Sequence, residues 1–81
     1  MHITYVIKSI NNNYKYIGIT DNLERRFNQH NNGWNKTTKP YAPFRLILIE
    51  EYPDRKSALI REKQLKSGFG RELVDKIIKV G

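Results

Sequence analysis

The pattern of hydrophobic and polar positions predicts two short strands joined by a turn near the start of the chain. Residues 3–8 place Ile or Tyr at every second position, which is the two-residue period of a strand. Residues 14–19 form a second such stretch, and three asparagines at 11–13 separate the two. Asn tolerates the left-handed backbone of tight turns, so we expect a hairpin. A third strand is predicted over residues 44–52, whose four consecutive aliphatic residues favour a central strand covered on both faces.

Three helices are predicted from capping signals and helical spacing. Asp21, followed by Glu24 three residues later, has the form of a capping box for a helix over about residues 22–31. A second helix is predicted over residues 53–67, and a last one after Gly70. This order predicts an α/β fold, with a small three-stranded antiparallel or mixed sheet flanked by helices. Eighty-one residues have room for one hydrophobic core, so residues 1–81 are expected to form a single domain.

The charge balance limits the classes of partner to consider. Fifteen Lys and Arg against eight Asp and Glu give a net charge of +7. A balance this basic predicts a polyanionic partner, nucleic acid rather than an anionic membrane. The chain has no Cys, which excludes a disulfide and a thiolate zinc site. Its longest aliphatic run covers residues 46–49, far too short for a membrane span. We therefore expect a cytoplasmic protein that is a monomer or a weak oligomer.

Two polar residues extend the apolar stripe of the first predicted helix. Leu23 and Phe27 define the stripe, and Arg26 and His30 continue it at helical spacing. The arginine could lay its stem on the core with its head in water, or hold a phosphate through its guanidinium. The histidine one turn later supports the second interpretation, although a lone His is more often structural.

A carboxylate interrupts the inner stripe of the second predicted helix in the same way. Glu62 lies between Ala58 and Leu65 at positions where the period calls for apolar residues. Burying an unpaired carboxylate is costly, so it must be paired, solvated or bound to a cation. One interpretation is a salt bridge to Arg61, to Lys66 or to a residue across the core. The other is a single-carboxylate site for Mg²⁺ or Mn²⁺, completed by waters and a substrate phosphate.

The strand tyrosines are a third signal. Tyr5 is in phase with the core positions of its strand, and Tyr14 and Tyr16 share a face with Gly18. Strand tyrosines usually belong to the core, but a strand glycine permits close approach of another group. Two phenols could therefore meet at a small pocket. Together with an arginine, a histidine and a carboxylate, they would suit hydrolysis of a phosphodiester.

The segment between the first helix and the third strand could contact the substrate. Residues 32–43 interleave Trp34 and Tyr41 with Lys36 and Lys39. Aromatic rings stack on unpaired bases while lysines follow phosphates, which predicts a nucleic-acid-binding loop. The alternative is that both aromatic residues fold back as a small additional core.

The same residues resemble the GIY-YIG nuclease superfamily, and most closely its small single-domain members, which are similar to the N-terminal domain of UvrC excinuclease. The resemblance covers residues 3–67 at least. It is carried by Thr4-Tyr5-Val6, by Tyr16-Ile17-Gly18, by the run from Gly18 to Arg26 with His30 four residues on, and by Arg61-Glu62-Lys63-Gln64-Leu65-Lys66.

The resemblance implies a role for each candidate residue. Tyr5 would be the phenol nearest the attacking water and a general base, and Tyr16 would position water or phosphate. Arg26 would clamp the scissile phosphate, and His30 would assist proton transfer or contact the substrate. Glu62 would hold one divalent cation, Mg²⁺ or Mn²⁺.

Two departures from the family pattern leave an alternative function open. The first motif ends in Val6 without a glycine, and Ile19 stands where UvrC-like members carry a lysine. The resemblance implies a metal-dependent endonuclease that cuts DNA, structured or damaged DNA in particular, as in repair or recombination. The alternatives are a nucleic-acid-binding module of the same fold with weak chemistry, and a structural subunit that docks on a nucleoprotein.

Overall fold

The computed structural model describes residues 1–80 as a three-stranded sheet with three α-helices. No helix in this range is long and apolar enough to cross a membrane. In chain order the elements are β1 (His2–Ser9), β2 (Lys15–Thr20), α1 (Leu23–Asn31), a short 3₁₀ helix (Lys39–Tyr41), β3 (Phe44–Tyr52), α2 (Arg55–Lys66) and α3 (Gly68–Val80).

The sheet is antiparallel throughout, with the strand order β2-β1-β3. The α/β prediction is therefore confirmed, but the prediction that the third strand is central is wrong. The hairpin places β2 on one side of β1, so β3 pairs on the other side and becomes an edge strand. Its exposed aliphatic residues, Leu46 at 37% and Ile49 at 47%, reflect that position.

The alternation predicted for β1 divides the core into two layers. Tyr5 and Ile7 point to one face, where they pack with Leu23 and Phe27 of α1. Val6, between them, points to the opposite face and meets the buried residues of the last two helices. The second layer is formed by Val6, Leu65 and Val74, with Ile17, Ile47, Leu48, Leu73 and Ile78 packed against them. Helix α1 therefore covers one face of the sheet, and α2 and α3 cover the other.

Helix α1 has the predicted length but a different cap. Asn22, not Asp21, is the N-cap, and its Oδ1 accepts the backbone N–H of Arg25 at 3.1 Å. Asp21 instead pairs with the guanidinium of Arg25 at 3.2 Å. The helix ends at Asn31, and the predicted stop at Gly33 follows it with a φ of +76°, which glycine readily adopts.

The turn after β1 and the start of α3 also differ from expectation. Within residues 1–80 no residue other than glycine has a positive φ, so the three asparagines do not supply left-handed backbone. The turn is closed instead by Ser9, whose hydroxyl oxygen accepts the N–H of Asn12 at 3.1 Å. Helix α3 begins at Gly68 rather than after Gly70, which leaves Ser67 alone between α2 and α3.

Candidate active site

The candidate site is built around Tyr5 at the middle of the central strand. The residue is 1% exposed, and Gly18 lies directly opposite it on β2. A Cβ atom at position 18 would lie 2.6 Å from the phenol oxygen of Tyr5 and 2.9 Å from the ring of Tyr16. The rings of Tyr5 and Tyr16 are 6.3 Å apart between centroids. The missing side chain of Gly18 therefore makes the space in which the two tyrosines meet, as the sequence indicated.

Helix α1 brings His30 to the same place. The imidazole is fully buried, and its Nε2 lies 2.8 Å from the Tyr5 oxygen. Its Nδ1 lies 2.9 Å from the hydroxyl of Thr38, which in turn is 3.5 Å from the carbonyl oxygen of Asn35. With the Thr38 hydroxyl donating to that carbonyl, Nδ1 carries the proton and Nε2 accepts from the phenol. The contacts are compatible with the tautomer in which Nδ1 donates to Thr38 and Nε2 accepts from the phenol.

The electrostatic state of the pair follows from its burial. Burial and, to a smaller extent, the nearby positive charge of Arg26 together lower the pKa of His30 to about 4. The imidazole is therefore neutral at pH 7, and one of its ring nitrogens can accept a hydrogen bond. Burial raises the pKa of the Tyr5 phenol, and the adjacent Arg26 opposes that rise. The resting pair is a neutral phenol donating to a neutral imidazole.

Arg26 lies on the solvent side of the two phenols. Its interaction with Tyr5 raises the pKa of the guanidinium, burial opposes this, and Tyr16 adds to the rise. The side chain is half-buried and donates to the Oε1 of Gln29 at 3.3 Å. Within residues 1–80 it forms no salt bridge, so its charge remains available to an anion. Arg26 and His30, which the α1 stripe placed on one side of the helix, both interact with the phenol of Tyr5.

Glu62 approaches the site from α2. Its side chain is 19% exposed and contacts the ammonium of Lys66, one turn later, at 3.3 Å. Arg61, the other neighbour considered from sequence, turns away and pairs with Glu50 at 2.7 Å. The negative charge of Glu62 is one of the smaller causes that raise the pKa of Tyr5. Within residues 1–80 the carboxylate forms an ion pair with Lys66, one of the salt bridges considered from sequence, and makes no hydrogen bond or ion pair with Tyr5, Arg26 or His30.

Glu62 is also the residue that could hold a divalent cation. Within residues 1–80 no group of three or more His, Cys, Asp or Glu side chains is arranged for a metal. Mg²⁺ commonly takes only one or two protein carboxylates and completes its shell with waters and substrate phosphates. Glu62 is partly exposed and could be that one protein ligand, but only if the exposed Lys66 ammonium, which would repel a cation, moves away from its carboxylate.

The loop after α1 contributes to the site through a residue that the sequence did not indicate. Thr38 is buried against His30, but nothing in its spacing or type distinguishes it from the exposed Thr37 beside it. Trp34 is 75% exposed, and Lys36 is exposed as well.

Tyr41 packs into the core, which is the alternative considered for the aromatic residues of this loop. Its ring stacks on Tyr14 with a centroid distance of 3.9 Å and joins the core beside α1. Lys39 is exposed and begins the 3₁₀ helix. The loop thus has an anchored side at Thr38 and Tyr41 and an exposed side that carries Trp34, Lys36 and Lys39.

A buried phenol–imidazole pair beside an arginine and a carboxylate, on a basic α/β fold, has the features of a nuclease domain. Comparison with known families agrees with that class. Residues 1–74 match the GIY-YIG catalytic domain, and the chain belongs to the GIY-YIG family. Nuclease domains of this family act on nucleic acids and generally use divalent metal ions.

Several relatives have nearly the same length as this chain. A UPF0213 protein of Staphylococcus saprophyticus is 33% identical over 81 residues, which cover 99% of this chain and 96% of the relative. A UPF0213 protein of Haloquadratum walsbyi is 32% identical over 99% of this chain and 89% of its own length. One from Xanthomonas axonopodis pv. citri is 40% identical over 76% of this chain and 61% of its own length. No solved structure matches the chain.

Proposed function

We propose that residues 1–81 act as one nuclease domain, a divalent-metal-dependent endonuclease that hydrolyses phosphodiester bonds in DNA. The observation that supports it most is the 2.8 Å hydrogen bond between the Tyr5 phenol and the neutral His30 imidazole, beside the free guanidinium of Arg26. Hydrolysis needs a proton acceptor for the attacking water and a cation for the phosphate. These three side chains supply both requirements.

Tyr5 and His30 form the proton acceptor. As a water oxygen bonds to phosphorus, its proton passes to the Tyr5 oxygen and the phenol proton moves to Nε2 of His30. The bond from phosphorus to the leaving oxygen breaks, and that oxygen takes a proton from solvent. A phenol alone is a poor base near pH 7 because its ordinary pKa is about 10. The relay removes the need for a free phenolate. Burial and the charge of Arg26 make His30 a weak base in the free protein, and a phosphate that neutralises Arg26 removes the second of these causes, so the imidazole becomes a better proton acceptor when substrate is bound.

Arg26 both shields the relay and binds the phosphate. In the free protein its guanidinium interacts with the oxygens of Tyr5 and Tyr16, and the Tyr5 side chain is almost completely covered. A scissile phosphate offers Arg26 a charged, bidentate partner in exchange for two neutral phenols. Moving onto the phosphate uncovers the Tyr5 oxygen for the attacking water. Tyr16, which is half-buried, remains to position that water or the phosphate.

Glu62 is the proposed ligand of the divalent cation, Mg²⁺ or Mn²⁺. A cation bound there would stabilise the negative charge that develops on the phosphate oxygens. In the free protein one oxygen of the Glu62 carboxylate contacts the ammonium of Lys66, and release of that contact would leave both oxygens available to the cation.

The substrate proposed is structured or damaged DNA, bound by a monomer or weak oligomer. The net charge of +7 favours a polyanion, and Trp34, Lys36 and Lys39 line the exposed side of the loop anchored on His30. An exposed indole with neighbouring ammonium groups suits unpaired bases next to phosphates. Such a surface recognises an opened or branched backbone better than a base sequence.

The experiment compares two tyrosine variants in single-turnover cleavage and in binding. Tyr5→Phe removes the relay oxygen and should slow cleavage by about 100-fold or more, while binding changes by less than about twofold. Tyr14→Phe is the matched control. Tyr14 immediately precedes β2, and its ring stacks on Tyr41 rather than on Tyr5 or His30. Cleavage by Tyr5→Phe at the rate of Tyr14→Phe would refute the proposed relay.

A binding module with weak chemistry is the second candidate, and one observation favours it. Tyr5 is 1% exposed and burial raises its pKa, while Ile19 offers no cation to offset that rise. If the wild-type protein binds DNA but both tyrosine variants leave its residual cleavage unchanged, this second function is the correct one.

A further inference from the structure

A second, strongly basic depression lies next to the candidate site. It has a volume of about 410 Å³ and shares Arg26 with the cluster around Tyr5. Four separate parts of the fold form its walls: the start of β1, the end of β2, the first turns of α1 and the first residue of α2. Its cationic lining consists of Arg25, Arg26 and Arg55, with His2 between the strand and helix walls. The relay described above makes no use of Arg25, Arg55 or His2.

The charge of this depression is not neutralised by the protein. Asp21 is the acidic residue in its lining, and it pairs with Arg25 at 3.2 Å. Arg26 and Arg55 form no salt bridge within the part of the chain described. Asp54, adjacent to Arg55 in sequence, directs its carboxylate to the backbone N–H of Ser57 at 2.7 Å. Two guanidinium groups from different helices thus share one open space without a counter-ion.

The wall at His2 carries an unsatisfied polar atom. The Nδ1 of His2 is buried and has no hydrogen-bond partner among residues 1–80. Buried polar atoms without a partner are rare, and each calls for an explanation such as an absent ligand. An anion held by Arg26 and Arg55 would bring acceptor oxygens to the wall that His2 forms.

We infer that this depression binds a second phosphodiester of the same DNA strand, next to the scissile one. The inference rests on the proposed function, since Arg26 belongs both to the depression and to the site of cleavage. A diester is the ligand class because its two free oxygens match a guanidinium group. Its single negative charge matches Arg55, the cation left without a counter-ion when Arg26 binds the scissile phosphate. Arg55 is then a binding residue that fixes the register of the strand relative to Tyr5.

The test is binding of single-stranded and branched oligonucleotides in EDTA, where cleavage cannot occur. Each oligonucleotide carries one neutral methylphosphonate, moved along the strand one position at a time. Arg55→Gln should weaken binding about tenfold at 0.1 M salt and reduce the salt slope by about 0.7–0.9. One methylphosphonate position should cause a similar loss in the wild type and almost no further loss in Arg55→Gln.

Arg45→Gln is the matched control. It removes the same charge from an exposed position on β3 opposite Lys8, at the far end of β1 from His2. This variant should weaken binding by less than about twofold. Equal losses in Arg55→Gln and Arg45→Gln, or additive losses at every methylphosphonate position, would overturn the inference.

The outcome is separable from the proposed activity because no step of it requires cleavage. Coupling between Arg55 and one phosphate in a protein that never cuts DNA would retain this site and refute the nuclease. Cleavage by a wild-type protein that shows no such coupling would support the nuclease activity and refute the second phosphate site.

Discussion

The buried histidine makes the stability of the domain depend on pH in a calculable way. In the folded protein the pKa of His30 is lowered from its ordinary value of 6.5 to about 4, because burial penalises the imidazolium and Arg26 repels it. The unfolded chain therefore binds a proton at this residue more readily than the folded one. Stability that is fully present above pH 6.5 must decline as the pH falls from 6.5 towards 4.

The size of the loss follows from the two pKa values. At about 1.4 kcal/mol per pKa unit, complete titration would remove on the order of 3 kcal/mol. Between pH 7.5 and pH 5 the expected loss from His30 alone is about 2 kcal/mol. Small domains commonly have a total stability of about 5–15 kcal/mol, so the effect is large enough to measure.

The assay is urea denaturation at pH 7.5 and pH 5, applied to the wild type and to His30→Gln. The variant has lower stability at both pH values because it loses packing and hydrogen bonds, but it cannot bind the extra proton. The decline from pH 7.5 to pH 5 should therefore be about 2 kcal/mol smaller in the variant, because the two proteins differ in no other titratable group. An equal decline in the two proteins would refute the assignment of a buried neutral imidazole.

Three further substitutions test the geometry of the site. Thr38→Val should leave the imidazole Nδ1 buried without a partner and cost about 1–3 kcal/mol in urea denaturation, whereas Thr37→Val, at an exposed neighbour, should be nearly neutral. Gly18→Ala places a methyl 2.6 Å from the Tyr5 oxygen, so it should displace the phenol and lower both thermal stability and cleavage; unchanged cleavage would count against the relay. Trp34→Ala should barely change the melting temperature, because the indole is exposed, and should weaken binding to branched or single-stranded DNA more than to duplex. A large drop in melting temperature would instead assign the indole to the core.

Much of the site could be predicted from sequence because its residues break local patterns. Arg26, His30 and Glu62 occupy positions where helical spacing calls for apolar residues, and such breaks are visible without a structure. Gly18 is a similar break in a strand, and the structure gives its reason in the close approach of Tyr5. Pattern reasoning works here because the functional residues lie on regular elements whose faces are fixed by their period.

The parts that sequence could not supply depend on contacts between distant segments. Thr38 acquires its role only because the loop folds back over α1, and an exposed threonine precedes it with the same local signals. The edge position of β3 follows from which side of β1 remains free, which its own aliphatic run does not encode. Arg55 and His2 meet Arg26 across three elements, and each alone looks like an ordinary surface residue.

The most direct test of the central claim is cleavage of end-labelled duplex, branched and single-stranded DNA by the wild-type protein, with Mg²⁺, Mn²⁺ or EDTA. Glu62→Gln serves as the control that keeps the shape of the side chain and removes its charge. The account predicts cleavage that requires the metal, favours branched or opened DNA, and is lost in Glu62→Gln while binding in EDTA persists. Binding without cleavage of any substrate by the wild type, or metal-dependent cleavage at an undiminished rate by Glu62→Gln, would contradict it.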